Sequence, residues 1–191
     1  MNVTESQLTA QLDAFGEHRV EIVTELAHDG EPDGIGPALL LAMGSREAFL
    51  RNIVGDAGHG RGWLRIDDRF HRDFLSSHRG CVSGSWTATK PSALPRGLVP
   101  SLTAATRYAI ELLHDNMRFA SNNGVPESQV LRFAIAAYNA GPGGSLTGRR
   151  AGNVDQETAG NDYSKERVAA QGRRRALPRA PRARRLTRPR G

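Results

Sequence analysis

The spacing of apolar residues along the chain predicts a mostly helical protein. Within residues 5–28, Leu8, Leu12 and Phe15 lie four and three positions apart, and a second apolar set follows Gly16. Positions spaced in this way line one face of an α-helix. The segment is therefore predicted to be helical with an interruption at Gly16.

Further segments are also predicted to be helical. Residues 36–50 begin near a proline, a favoured first-turn residue, and are apolar on every side, which is typical of a central buried helix. Residues 100–122 carry an apolar face, and residues 126–140 end before the Gly-Pro pair at 141–142, which is a stop signal. A short last helix is predicted near 163–171.

Two segments lack helical periodicity. Residues 51–69 contain four glycines, a density that predicts turns or a small hairpin with close backbone approach. Residues 76–100 are rich in Ser, Gly, Pro and Thr and are predicted to form a long surface loop. The predicted fold class is mainly α: a helical domain with a small irregular or β segment.

Length and composition are those of an ordinary globular protein. The chain has 191 residues, enough for one domain, and 38% of them are hydrophobic. No run of 18 apolar residues occurs, so no transmembrane helix is predicted, and the N-terminus lacks the pattern of a secretory signal. The single cysteine, Cys81, excludes an internal disulfide and a Cys-based zinc site.

The net charge of +6 is unevenly distributed. Residues 173–191 hold nine Arg and no acidic residue, so the remaining chain has 17 basic residues against 20 acidic ones. With three Pro and little to bury, the tail at 172–191 is predicted to be disordered. Polyanion binding, a solvated appendage and a reading-frame accident all remain open for it.

Three carboxylates suggest acid–base chemistry. Glu47 falls in the last turn of the most hydrophobic helix, where the helix dipole and desolvation both raise a carboxyl pKa, which suits a general acid. Asp56 lies in a Gly-flanked turn, and Asp67 follows eleven residues later. An inverting glycosidase needs a second carboxylate to activate water, roughly 6.5–9.5 Å from its acid. A solvated Glu47 without a function remains the alternative.

Several motifs together resemble goose-type lysozymes. The resemblance rests on SRE at 45–47, NIVGDAGHGRG at 52–62 and Ile-Asp-Asp-Arg at 66–69. The run FAIAAYNAGPGG at 133–144 resembles the AYNAG motif that goose-type lysozymes share with soluble lytic transglycosylases. These motifs occur in the family's order and extend over about two-thirds of the chain, from 37 to 163.

The resemblance implies a lysozyme-like domain over 36–171, preceded by an N-terminal helical segment at 1–35. It implies an enzyme that cleaves the β-1,4 bond between N-acetylmuramic acid and N-acetylglucosamine, with no metal or organic cofactor. Glu47 matches the family's general acid, and Asp56 and Asp67 match the aspartates thought to hold the attacking water. Lytic transglycosylases lack that pair, so it favours hydrolysis with inversion.

The resemblance also implies substrate-binding residues. Tyr138 and Asn139 match residues that line the family's cleft, although core packing for the tyrosine and a helix C-cap for the asparagine are equally compatible with the sequence. Tyr163 lies where transglycosylase-like domains often carry a cleft tyrosine. Arg65 and Ile66, which come directly before Asp67, complete the predicted binding set.

The chain departs from the family pattern beside the predicted acid and in the Gly-rich segment. Ala48 replaces a serine after the acid, and Gly-Trp-Leu-Arg at 62–65 replaces Gly-Leu-Met-Gln. Arg65 only donates hydrogen bonds and always carries charge. Within reach of Glu47 it would lower the pKa of that acid, or it could instead contact a carboxylate of the substrate. Trp63 is compatible with sugar stacking or with core packing.

These departures leave alternative functions open. They are a lytic transglycosylase that uses Glu47 alone, an inactive peptidoglycan-binding module, and a nucleic-acid binder acting through the tail. The expected partner is the peptidoglycan glycan strand, and a monomer is expected. Action on cell walls without a secretory signal requires another route, such as release of a phage lysin through a holin, and the localisation stays open.

Overall fold

The computed structural model describes residues 4–86 and 98–165 and is built mainly of α-helices. Helix α1 (Glu5–Phe15) is followed directly by α2 (Glu17–Ala27). Between them Gly16 adopts a φ of 87°, which ends the first helix. The predicted helix with an interruption at Gly16 is confirmed.

Helix α3 (Pro37–Ala48) is the central helix of the fold, as its apolar sequence predicted. A 3-10 turn (His28–Asp33) leads into it, and α2 packs alongside it. Most of its side chains are buried, including a run of three leucines. The helix ends where Phe49 and Leu50 adopt left-handed backbone angles, with φ values of 53° and 55°.

The Gly-rich segment forms a small three-stranded antiparallel sheet. Its strands are β1 (Val54–Gly55), β2 (Gly60–Arg61) and β3 (Ile66–Asp67), in the order β1-β2-β3. A 3-10 turn (Asp56–Gly58) joins the first two strands. The hairpin predicted for this segment is confirmed, with one strand more than a single hairpin has.

Trp63 packs the sheet segment onto α3. Its ring is fully buried, and a Cβ atom at Gly44 would lie 2.2 Å from its Cε3 atom. Only glycine leaves room for the ring at this point of the helix. Of the two possibilities for Trp63, the structure therefore supports core packing.

The loop predicted for residues 76–100 contains secondary structure that the sequence did not indicate. After β3 come a short helix, α4 (Arg72–Ser77), and β4 (Arg79–Val82), which pairs antiparallel with β5 (Leu98–Pro100). Cys81 is fully buried in this pair, and burial raises the pKa of its thiol. Such short strands are hard to recognise among Ser, Gly and Pro.

Two long helices complete the helical body. Helix α5 (Leu102–Asn122) packs against α2 and against α6 (Glu127–Arg150). The predicted end before Gly141 coincides with a break in α6, where Gly141 has non-helical backbone angles with a φ of 72°, but the sequence did not predict that helical structure resumes after it. Pro142 then opens the second part, where a missing N–H costs no hydrogen bond. A small apolar cluster sits between these helices and consists of Ala120, Val125, Val130, Phe133 and Ala137.

The chain then folds back towards α3 through a 3-10 turn (Ala159–Asn161) and buries Tyr163 in the main core. Most of the predicted helix at 163–171 and the whole tail at 172–191 lie outside the described residues. Their structure and the polyanion binding of the tail therefore remain predictions. Among the helices that the structure describes, none is long and apolar enough to cross a membrane.

Candidate active site

Glu47 lies in the last turn of α3 with its side chain half-buried. Its Oε1 atom accepts a hydrogen bond from the hydroxyl of Tyr163, a residue 116 positions later that is only 1% exposed. The structure thus brings two sequence-predicted site residues into direct contact. A donor at Oε1 fixes the orientation of the carboxyl group.

Tyr138 connects α6 with the Gly-rich segment beside Glu47. Its hydroxyl donates to the backbone carbonyl of Leu64 at 2.9 Å. Burial, and after it the negative charge of Glu47, holds the pKa of Tyr138 well above its usual range. The hydroxyl therefore keeps its proton at neutral pH. Tyr138 also packs against the main core, so it has the packing role that the sequence allowed.

Asn139 holds the segment that folds back onto α3, residues 159–163, which is called the returning chain below. Its side chain is exposed, and its Oδ1 atom accepts a hydrogen bond from the N–H of Ala159 at 2.9 Å. The helix continues beyond this position, so Asn139 is not a terminal cap. It instead ties α6 to the turn that precedes Tyr163.

Asp56 pairs with Arg65 across the sheet. The Nη1 atom of Arg65 donates to Oδ1 of Asp56 at 2.5 Å, and the side chains are 23% and 50% exposed, respectively. Both residues have left-handed backbone angles, with φ values of 50° and 48°. The ion pair of Arg65 is therefore with Asp56, a partner that the sequence did not predict.

Two glycines make room for this ion pair. A Cβ atom at Gly55 would lie 2.6 Å from Cζ of Arg65, and one at Gly60 would lie 2.4 Å from Oδ2 of Asp56. The pair therefore packs directly on the glycine backbone. This is the close approach that the glycine density predicted.

Asp67 is held by an arginine two residues away. Its two carboxylate oxygens accept from Nε of Arg69 at 3.0 Å and from Nη2 at 2.5 Å, and the backbone N–H of Arg69 adds a third bond at 2.9 Å. Hydrogen bonding to Arg69 lowers the pKa of Asp67, although partial burial opposes the shift. Asp67 is therefore a firmly ionised carboxylate.

The two aspartates lie on neighbouring parts of the same sheet. Gly60 is the register partner of both Gly55 and Asp67, so Asp56 follows one outer strand and Asp67 belongs to the other. With a strand spacing of about 4.8 Å, the backbones of the outer strands are roughly 10 Å apart. Ile66, a predicted binding residue, is 2% exposed and packs into the core.

One group of potential metal ligands occurs in this region. Among the residues that the structure describes, the ligand atoms of His59, Asp67 and Asp68 lie within 4.8 Å of one another. Asp68, however, already contacts Nδ1 of His59 and accepts from Nη2 of Arg61, both at 2.8 Å. Partial burial raises the pKa of Asp68, but these hydrogen bonds outweigh it and the net shift is downward. The ion pairs account for the cluster without a cation.

Arg46 is a site residue to which sequence reasoning assigned no role. Its Nη2 atom donates to the carbonyl of Ala159 at 2.6 Å and to Oδ1 of Asp162 at 2.7 Å. Its guanidinium also lies 5.2 Å from the ring centroid of Tyr163. The available signal was its place in the SRE motif directly before Glu47.

The described residues form a mainly α-helical domain with two small antiparallel sheets, and Glu47 and Tyr163 meet in it. In sequence it is similar to "Lysozyme g" from Gallus gallus, with 28% identity over 144 residues. The similar region covers 73% of this chain and 57% of that protein, so the chain spans little more than half the length of its relative. No protein-family profile matches. The similarity confirms the resemblance to goose-type lysozymes and, with the helical fold, supports a place in the lysozyme-like superfamily.

Proposed function

We propose that the chain is a peptidoglycan-cleaving muramidase that acts on the β-1,4 bond between N-acetylmuramic acid and N-acetylglucosamine. The observation that carries the proposal is the carboxyl of Glu47, half-buried at the end of the central helix and bonded to Tyr163. The similarity to a goose-type lysozyme supports the same function.

Glu47 is the general acid in this proposal. Its Oε1 atom accepts from Tyr163, which holds the carboxyl group in place for proton transfer. The proton passes to the glycosidic oxygen as the bond from that oxygen to the anomeric carbon breaks. Water then attacks the opposite face of the sugar and loses its own proton, which gives a reducing end with inverted configuration.

Asp56 and Asp67 position the water and divide the task. Both oxygens of Asp67 accept from Arg69, and its pKa is lowered, so it is a poor proton acceptor and orients water. Asp56 engages only Oδ1 with Arg65 and is half exposed. Its Oδ2 atom is thus the better acceptor for the proton of the water.

A second candidate is a lytic transglycosylase that uses Glu47 alone. The favouring observation is that both aspartates already have guanidinium partners, which occupy carboxylate oxygens that would otherwise bind water. In that reaction a hydroxyl of the muramic acid itself, rather than water, attacks the anomeric carbon. The products then carry anhydro-muramic ends.

Digestion of purified peptidoglycan, with products identified by mass spectrometry, tests the proposal. We expect reducing muropeptides from the wild type and a loss of about 10²- to 10⁴-fold in Glu47→Gln, because general-acid catalysis contributes that much. Glu111→Gln, at an exposed position of α5, is the matched control.

Anhydro-muropeptides from the wild type would select the transglycosylase instead. No soluble product from a folded wild type would overturn both enzyme proposals and leave a peptidoglycan-binding module. Binding to purified cell walls by wild type and Glu47→Gln would then test that alternative.

A further inference from the structure

Two adjacent residues of α3 bind two adjacent residues of the returning chain. Arg46 pairs with Asp162, and Glu47 accepts from Tyr163, each across 116 residues of sequence. These two neighbouring contacts, an ion pair and a hydrogen bond, fix both the position and the direction of the returning chain. A single contact would leave it free to rotate.

The backbone of Ala159 adds one contact to α3 and another to α6. The carbonyl accepts from Nη2 of Arg46 at 2.6 Å, and the N–H donates to Asn139 at 2.9 Å. At the next residue, Gly160, a Cβ atom would lie 3.1 Å from the same Nη2 atom, and φ is +79°. The turn is therefore held between α3 and α6 with little room for other conformations.

The guanidinium of Arg46 also covers the ring that reaches Glu47. It lies 5.2 Å from the ring centroid of Tyr163, within the range of a cation–π interaction. The side chain of Arg46 is 13% exposed, so water screens these contacts little. One side chain thus contacts the turn, the acidic residue after it and the tyrosine.

We infer that Arg46 and Asp162 are positioning residues that act through Tyr163 to set the carboxyl of Glu47. This inference rests on the proposed role of Glu47 as general acid. Arg46 holds the turn and the ring, Asp162 orients Arg46, and Tyr163 then engages Oε1.

A double-mutant cycle tests whether Asp162 acts through Tyr163. We expect Asp162→Asn and Tyr163→Phe each to lower kcat about tenfold, the size of one well-placed hydrogen bond, with little change in KM. The double variant should be no slower than Tyr163→Phe, because the same contact is already lost. Multiplied losses, near one hundredfold in the double variant, would overturn the inference.

Asp115→Asn is the matched control for this cycle. Asp115 pairs with Arg118 on the exposed face of α5, so the variant also removes a carboxylate from an Arg–Asp pair. Its kcat should equal that of the wild type. Urea unfolding of all variants identifies those that have lost the fold.

Rescue by a conservative change tests the role of Arg46. Nη2 of Arg46 donates to both acceptors, so the ammonium of Arg46→Lys keeps a charged donor for them, whereas Arg46→Met supplies none. We expect Arg46→Lys to retain several times the kcat of Arg46→Met. Equal losses in two folded variants would contradict a positioning role through this ion pair.

A spectroscopic readout separates this inference from the proposed function. NMR of tyrosine-labelled protein should show a slowly exchanging hydroxyl proton that disappears in Tyr163→Phe. It should also disappear in Asp162→Asn and remain in Asp115→Asn. A signal that persists in Asp162→Asn overturns the inference even if the wild type is active. If the signal is lost in Asp162→Asn but the wild type shows no turnover, the proposed muramidase is overturned and the positioning contact still stands.

Discussion

The carboxylates of the candidate site are held in two different ways. Glu47 receives its hydrogen bond from a residue 116 positions away, whereas Asp56 and Asp67 pair with arginines nine and two positions away. The first contact exists only when the returning chain has docked on α3. The other contacts need no more than the small sheet. The comparison shows that the proposed acid depends on tertiary structure and the proposed water-binding pair on local structure.

The backbones of the two regions differ as well. Glu47 sits in a regular helix, while Asp56, Ala57 and Arg65 have φ values of 50°, 55° and 48°. Left-handed angles cost a non-glycine residue about 1–2 kcal/mol each. The ion pair between Asp56 and Arg65 joins two such residues and helps to offset this strain. Strain of this kind is typical of functional sites.

The largest effect is expected on stability, at Gly44. There α3, which carries Glu47, touches the segment of the small sheet, which carries Asp56 and Asp67. Gly44→Ala would place a Cβ atom 2.2 Å from the ring of Trp63, so the ring or the helix must move. Overpacking of this kind lowers the free energy of unfolding by about 1–3 kcal/mol. Urea unfolding measures it.

Gly143→Ala is the control for this prediction. A Cβ atom at Gly143 would have no neighbour within 4 Å, so its stability should be unchanged or slightly raised. Similar destabilisation of both variants would show that α3 and the sheet are not joined by this contact.

An intermediate effect is expected on the ratio of reducing to anhydro products when the ion pair between Asp56 and Arg65 is removed. Arg65→Gln removes the ion pair and leaves both oxygens of Asp56 able to contact water. We expect the ratio of reducing to anhydro products to rise roughly two- to tenfold, because both oxygens of Asp56 can then bind the attacking water. Mass spectrometry of the digest gives the ratio.

Arg107→Gln, an exposed arginine of α5, should leave this ratio unchanged. The stability of Arg65→Gln should fall by less than about 1 kcal/mol, since the pair is partly exposed. If the ratio does not change in Arg65→Gln, Arg65 does not restrain Asp56.

The smallest effect is expected from the pair of Asp67 and Arg69. Arg69 lowers the pKa of Asp67, so the folded chain binds fewer protons there than the unfolded chain. The stabilisation is complete above the unfolded pKa of about 3.9 and is lost as the pH falls through the lowered folded value. Arg69→Gln should therefore reduce stability slightly at neutral pH, and the deficit should shrink in acid.

Urea unfolding at about pH 7 and about pH 3 checks this pH dependence. Arg118→Gln, which removes a pair on the exposed face of α5, should show little change at either pH. A deficit of Arg69→Gln that grows in acid would contradict the assigned direction of the shift.

Local patterns predicted most of the helices. The interruption at Gly16 and the buried character of α3 follow from residue spacing and composition, which act over a few turns. The continuation of α6 beyond Gly141 did not, because a Gly-Pro pair can end a helix or kink it and then open another. Which outcome occurs depends on packing by the later chain.

The sequence allowed candidate site residues to be named, but it did not indicate which of them are in contact. The resemblance proposed Glu47 from a motif and Tyr163 from its position, but nothing local in the sequence indicates that they touch across 116 residues. The partner of Arg65 lies only nine residues away, yet it depends on left-handed backbone angles that a non-glycine residue rarely adopts. The role of Arg46 requires knowledge of the returning turn.

The docking of Asp162 and Tyr163 on α3 has a consequence for synthesis of the protein. Contacts between positions so distant in sequence form late in folding, since the loop between them must first be ordered. On the ribosome, α3 emerges long before its partners do. We therefore expect the carboxyl of Glu47 in a nascent chain to lack its tyrosine partner until residues 159–163 have been synthesised and have docked on α3.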